Sequence, residues 1–302
     1  MNPPNQRALS GVAFATLIMI ALMMGANHVA ARVAFEDGVT VATAVVFRSA
    51  ATALVVLGIV RYYRLPVGMT AAQRTGLLKV GLLVGFQSLC LYSAVARMPV
   101  ALALLAFNSY PLWTALWARV LYGDRPEAAL LRAMPVILFG LALALDVLGA
   151  ASGLGVAGQW GRIGAGLAFA MSAAAAFGCA LVLTQHETAG LDGRVRTAGT
   201  MTMVAVMALA GVVWQGGFQL PVSGAGWWGL LGLTLLYGTA FTVMFTVLPR
   251  LGVVGNSAIM NVEPIFSLVL AWFVLGQSIA AVQVVGGLVV VGAVIWLGLR
   301  RA

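Results

Sequence analysis

The sequence predicts an all-α polytopic membrane protein of ten transmembrane helices, arranged as two inverted five-helix repeats. Three observations carry this. The 302 residues are 62% hydrophobic and only 8% charged, with a mean hydropathy of +1.02, whereas soluble domains carry roughly a quarter of their residues as charges. Apolar runs of the length that crosses a bilayer, about 20 residues, recur along the whole chain. Segments of the first half reappear in the second at one fixed spacing, without a gap.

The spans are expected near 9–31, 39–60, 75–96, 99–121, 130–148, 162–184, 197–216, 227–248, 253–275 and 280–299. The first, "LSGVAFATLIMIALMMGANHVAARVAF", is too long for a signal-peptide core and has only Arg7 before it, so it reads as a retained helix. Short alternating strands of an outer-membrane barrel are not seen. The balance of 17 basic against 8 acidic residues, net +9, would point to nucleic acid in a soluble chain. Topology accounts for it instead. With the N-terminus in the cytoplasm, thirteen basic residues fall on the inner side, and only Arg32, Arg97 and Arg162 fall outside. Arg48 lies within the second helix. The positive-inside rule therefore places both termini in the cytoplasm, with an even number of spans between them.

The repeat is clearest between "GLLKVGLLVGFQSLCLYSAVARMPV" from Gly76 and "GLLGLTLLYGTAFTVMFTVLPRLGV" from Gly229, 153 residues apart. The same offset pairs Gly25 with Gly178, Pro111 with Pro264, and Gly123 with Gly276. Two halves follow, 9–148 and 162–299, joined by "GAASGLGVAGQWG". Because each half holds an odd number of helices, the halves run in opposite directions through the membrane. Inverted repeats of this kind build secondary transporters, with the substrate site near the midplane between them.

The offset also aligns Asn108-Ser109-Tyr110-Pro111 with Asn261-Val262-Glu263-Pro264. A proline inside a helix donates no hydrogen bond to the carbonyl four residues back. Within a membrane, such a break persists where protein or a water-filled cavity satisfies the freed group. Pro111 and Pro264 are therefore candidate hinges, and the surrounding residues candidate lining of a central cavity. Glu263 is the strongest of these, since a carboxylate at the centre of a spanning helix costs about 2.5–3.5 kcal/mol on insertion scales. Its role is to bind a substrate ammonium or carry a proton, or else to anchor the fold, paired with Arg48. Arg48 is assigned a structural role.

Asn256, Met260 and Ser267 share the helical face of Glu263, and Asn261 or Asn256 would give a polar cluster beside it. Phe107, Tyr110 and Thr114 form the matching face, which continues to Trp117. Asn108 opens the aligned Asn-x-Tyr-Pro element, and Phe107, Tyr110, Trp113, Trp117 and Tyr237, with Met260, form an aromatic wall. Such a wall suits stacking or cation–π contact with an amino-acid side chain or ammonium, although each ring taken alone also reads as packing. Asn27, Gln87 and Tyr92 are further polar candidates whose ordinary role is a hydrogen bond between helices. His28 is expected near the outer end of helix 1, without a part in proton coupling.

The residues "GANHVAARVAF", "VVFRSAA" with Arg48, and "NVEPIFSLVLAWFVLGQSI" with Glu263 and Pro264 resemble a drug/metabolite transporter of the EamA type. The resemblance covers essentially the whole chain. It implies ten helices in two EamA repeats and export of amino acids or related metabolites, with the YddG-like aromatic amino-acid exporters of the bacterial inner membrane as the nearest branch. Export of lipophilic cations or drugs is the alternative, and a non-transport scaffold or sensor a lesser one.

An enzyme is not expected. His186-Glu187 lacks the second histidine of H-E-x-x-H, Asp146 has no second aspartate within the membrane, and neither a G-x-S-x-G elbow nor a phosphate-binding loop occurs. Cys90 and Cys179 read as small packing residues. With no CxxC or His/Cys cluster, neither a metal site nor a cofactor is indicated. The expected partners are small-molecule substrates and the lipid bilayer, with no nucleic acid. The oligomeric state stays open.

Overall fold

The computed structural model describes residues 11–124, 128–146, 148–149, 153–246, 262–277 and 280–301, and among them every regular element is a helix. In chain order these are α1 (Gly11–Glu36), α2 (Val41–Tyr62), α3 (Ala71–Arg97), α4 (Val100–Phe107), α5 (Tyr110–Tyr122), α6 (Ala128–Ala144), α7 (Gly155–Glu187), α8 (Gly193–Trp214), α9 (Gly224–Thr246), α10 (Glu263–Leu275) and α11 (Ala281–Arg301). Among the described residues seven spans are long and apolar enough to cross a membrane, Val100–Tyr122 (α4 with α5) counting as one, and three shorter apolar helices accompany them.

Local chemistry sets the helix ends. Thr70 and Gln73 form a reciprocal capping box at the start of α3, and Asp192 accepts the Arg194 N–H at the start of α8. Gly123 (φ 75°) and Gly276 (φ 62°) end α5 and α10 in the left-handed conformation that a side chain disfavours. These two caps are 153 residues apart.

Several helices outrun the expected spans. Helix 1 continues to Glu36, so His28 lies well inside it and not near its end. The sixth expected span, α7, begins at Gly155 and is 33 residues long. Part of the expected connector is therefore helical and packed: Gln159 is fully buried, its Nε2 donating to the Leu145 carbonyl at 2.7 Å. Helix 4 is not continuous. It divides into α4 and α5 at Asn108-Ser109, beside Pro111.

Hydrogen bonds gather the helix termini at two ends of the bundle. At the first, Asp37 accepts from the Val222 and Ser223 N–H groups at 2.8 Å each, and the Val100 N–H donates to Gln277 Oε1 at 3.2 Å. At the same end, Arg32 donates to the Val95 and Ala96 carbonyls. At the second, Glu187 accepts from Lys79 at 2.9 Å and from the Tyr122 hydroxyl at 3.3 Å, and Gln73 reaches the Ala189 carbonyl. Thus α1 ends at the Asp37 end, while α7, its counterpart by the repeat, ends at the Glu187 end.

The helix pairings come in partners. α3 packs on α7 and α1 on α9, α3 on α8 and α2 on α9, and α1 on α10 and α5 on α7. Adding or subtracting 153 converts each pairing into its mate. The pairs α2–α8 and α6–α11 map onto themselves.

Glycines permit the closest approaches, as small residues do where lipid supplies no hydrophobic drive to associate. A Cβ on Gly76 would lie 2.7 Å from Glu187 Cβ, and one on Gly229 2.8 Å from the Ala34 nitrogen. Those positions and their partners are again 153 apart.

Among the described residues three buried clusters result. One centres on α4 with α3, α6, α7, α10 and α11, another joins α1, α2, α3, α8 and α9, and a small third joins Val56 and Val60 of α2 to Val195 and Ala198 of α8. Every residue from Val100 to Ala106 is buried, whereas no residue of α5 is.

Candidate functional site

Glu263 opens α10, in the first turn where the helix dipole favours an anion. Gly25 brings α1 against that turn. A Cβ there would lie 2.9 Å from Ser267 Oγ and 3.2 Å from the Glu263 carbonyl oxygen. His28, nearly one turn beyond Gly25, then meets the carboxylate, with Nε2 3.3 Å from Glu263 Oε1. His28 is buried and Glu263 partly so; Pro264 packs beneath them and Ser267 donates to the Glu263 carbonyl at 3.1 Å.

The neighbours of this pair are polar and buried. The Tyr92 hydroxyl donates to Asn27 Oδ1 at 2.8 Å, and the Tyr92 and His28 ring centroids are 5.4 Å apart. Arg48, 2% exposed, places its guanidinium between two tyrosine rings, 3.8 Å from the Tyr237 centroid and 4.6 Å from that of Tyr92. Tyr237 in turn stacks on Phe241 at 4.3 Å. Two desolvated cation–π contacts of about 2 kcal/mol each are comparable with the roughly 2.5–3.5 kcal/mol that a central arginine costs on insertion scales. Among the described residues no carboxylate lies within ion-pair distance of Arg48. The Arg48–Glu263 pair, the alternative in which Glu263 anchors the fold, is therefore not formed, and His28 is the neighbour of Glu263 instead. Two buried side-chain atoms have no hydrogen-bond partner among the described residues, His28 Nδ1 and Arg48 Nε.

The equivalent place in the other half lies where α5 meets α7. Gly178 corresponds to Gly25, and Thr114 to Ser267. A Cβ on Gly178 would lie 2.7 Å from the Thr114 nitrogen and 2.9 Å from Trp113 Cβ. Tyr110 stands where Glu263 does, grouped with Phe107 and Phe177 at centroid distances of 5.2–5.7 Å. Trp117 donates to the Ala175 carbonyl at 3.0 Å, and Thr114 to the Tyr110 carbonyl at 2.9 Å. At the break, Asn108 and Ser109 are buried, with Ser109 Oγ 3.7 Å from Met171 Sδ.

The candidates that the sequence singles out thus separate into two groups. Asn27, Tyr92, Tyr237, Arg48 and Glu263 gather around α1, and Phe107, Tyr110, Trp113 and Trp117 lie along the α5–α7 contact. Gln87 is buried beside Ser88. Pro111 occupies the first turn of α5 as Pro264 does that of α10. Asn256, Met260 and Asn261 lie outside the described residues. Phe177 is not among the candidates, though it directly precedes Gly178, the repeat partner of Gly25.

A separate cavity of about 680 Å³ opens at the Asp37 end, lined by Arg32, Phe35, Glu36, Ser93, Arg97 and Trp214 among others. None of the candidates lines it. The Arg32 charge there is taken up by Glu36 at 2.7 Å and by the last carbonyls of α3.

No curated protein matches the chain. One of 14 matching solved chains, titled only "Crystal structure of protein", aligns with a TM-score of 0.57 over 96% of this chain and 97% of its own at 19% identity. At that identity the likeness concerns the fold. Residues 164–299, a little under half of the chain, match the EamA-like transporter family, and the apolar helices support a multi-pass membrane protein.

Proposed function

We propose that the protein is a secondary transporter of the bacterial inner membrane that exports amino acids, aromatic ones among them, by alternating access through a central cavity. In this reading the ten spans are the seven long ones with α6, α10 and α11. They form two inverted repeats, 9–148 and 162–299, with both termini cytoplasmic. The observation that carries the reading is the matched pair of contacts, Gly25–Ser267 beside Glu263 and Gly178–Thr114 beside Tyr110. Each joins the first helix of one half to the broken helix of the other, the interface at which inverted-repeat transporters hold their cargo. The opposite courses of α1 and α7 support the inversion.

Access follows from the unequal burial of the broken helix. α4 is buried throughout toward the Asp37 end, while among the described residues α5 packs chiefly on α7 and has no buried residue. This asymmetry supports opening toward the Glu187 end, which in this reading is the cytoplasmic end.

For the cargo, the Glu263 carboxylate suits an ammonium, and the Phe107–Tyr110–Phe177 group suits an apolar or aromatic side chain. This favours the YddG-like branch within the EamA type. Lipophilic cations share both features of such a cargo.

The test is counterflow of labelled L-phenylalanine into liposomes holding the purified protein, with unlabelled amino acids and tetraphenylphosphonium as competitors. Exchange blocked by amino acids and lost in Glu263→Gln is expected. Competition by the cation alone would make the protein a drug exporter, and no exchange of any competitor would leave a scaffold or sensor.

A further inference from the structure

We infer that His28 and Glu263 form a proton site, with the proton taken at His28 Nδ1, and that this proton is exchanged against the ammonium of the cargo. The inference rests on the export reading and adds its driving force.

The geometry defines where the proton goes. With Nε2–H directed at Glu263 Oε1, 3.3 Å away, the neutral ring presents a lone pair at Nδ1. That atom is buried without a hydrogen-bond partner among the described residues. Protonation there turns a neutral hydrogen bond into an imidazolium–carboxylate pair. Imidazole is the side chain whose charge ordinarily changes within the physiological pH range.

Among the described residues the charged and titratable groups facing the pair are few. α2 supplies Arg48, α3 Tyr92 and α9 Tyr237, while α4 carries no ionisable side chain and Glu263 is the only such group in α10. With His28 neutral, the Arg48 and Glu263 charges cancel, and Glu263 is free to face an ammonium. With His28 protonated, Glu263 is occupied by the imidazolium, and a cargo ammonium would meet a site of net charge +1. Like charges a few ångströms apart at low dielectric repel strongly. Proton and cargo are therefore alternatives at Glu263, which is the requirement for antiport.

The experiment measures protons released when L-phenylalanine binds to the purified protein in weakly buffered lipid nanodiscs at about pH 6 to 8, together with counterflow in liposomes. The wild type is expected to release up to one proton for each bound molecule. An inward proton gradient is expected to drive export against a cargo gradient. In His28→Gln the release is lost, and the counterflow that remains no longer varies with pH.

Binding or exchange by the wild type with no proton released at any pH would overturn the inference while leaving the exporter standing. Undiminished release in a folded His28→Gln would overturn the assignment to His28. A wild type that neither binds nor exchanges any amino acid would remove the exporter reading, and the coupling with it. The wild-type arm decides the coupling even where the variant does not fold.

Discussion

Adding one methyl group at Gly178 tests the close approach of α5 and α7 on which the proposed site depends. Its Cβ would sit 2.7 Å from the Thr114 nitrogen and 3.0 Å from the Trp113 carbonyl carbon, both backbone atoms that no rotamer change can move. Restoring van der Waals distances of about 3.5 Å requires α5 to shift by most of an ångström. Overpacking of this kind costs about 1–3 kcal/mol, against about 1 kcal/mol gained when alanine replaces glycine in a helix.

At Gly25 the closest atom is the Ser267 hydroxyl at 2.9 Å, which can rotate at the expense of its bond to the Glu263 carbonyl, and the backbone stands back at 3.2 Å. At Gly58, in α2, a Cβ meets nothing within 4 Å, so only the gain remains. Thermal unfolding of the purified variants should therefore rank Gly58→Ala at or above wild type, Gly25→Ala below it, and Gly178→Ala lowest. A net loss of up to about 2 kcal/mol at Gly178 corresponds to as much as roughly 4–8 °C, on the scale of 2–4 °C per kcal/mol for chains of 150–250 residues. A Gly178→Ala protein as stable as Gly58→Ala would refute the close approach.

Replacing Pro111 or Pro264 by alanine returns a backbone donor to the first turn of α5 or α10, and is expected to slow counterflow several-fold while the protein inserts and folds. Full exchange in both single variants and in the double variant would remove the hinge. Arg48→Lys keeps the charge but not the planar group between Tyr92 and Tyr237, so a stability loss of about 1–3 kcal/mol is expected, and unfolding indistinguishable from wild type would contradict the cation–π account. Outside the membrane, the Ser223 backbone N–H and hydroxyl and the Val222 N–H hold the Asp37 carboxyl below its ordinary value. Its folded-state value is depressed, so the contact contributes above about pH 4 and is lost as pH falls through that folded-state value. Protection of the Val222 and Ser223 amides, measured relative to the intrinsic exchange rate at each pH, should fall in acid in the wild type and already be lost at neutral pH in Asp37→Ala; protection unaltered by the substitution would show that the contact protects neither amide.

Composition and the constant 153-residue offset make the membrane class, the paired prolines and the Gly25/Gly178 equivalence legible. These features repeat, and a repeat in sequence reports a repeat in contacts. Helix ends are less legible. An apolar-run criterion stops at the first polar residues, so it ends helix 1 short of Glu36 and places His28 near a terminus where it does not lie. That error conceals the His28–Glu263 contact, since depth along the helix is the only guide to its neighbours. The Arg48–Glu263 pairing fails for another reason. Opposite charges at similar depth suggest a partner, but which face each side chain presents is set by packing across helices, and Arg48 turns to two aromatic rings. Phe177 is readable from the offset only through its partner position, which holds Met24 and gives no aromatic signal.

Alternating access predicts that the Asp37 end must open for cargo to leave. There the Val100 N–H meets the Gln277 side chain, joining the start of α4 to the end of α10. Cysteines at 100 and 277, in a background with Cys90 and Cys179 replaced by alanine, can be joined by oxidation or a short bifunctional reagent. The measurement is counterflow of L-phenylalanine before cross-linking, after it, and after a disulfide is reduced. The account predicts exchange that falls in proportion to the linked fraction and returns on reduction. Undiminished exchange by fully cross-linked protein would contradict it.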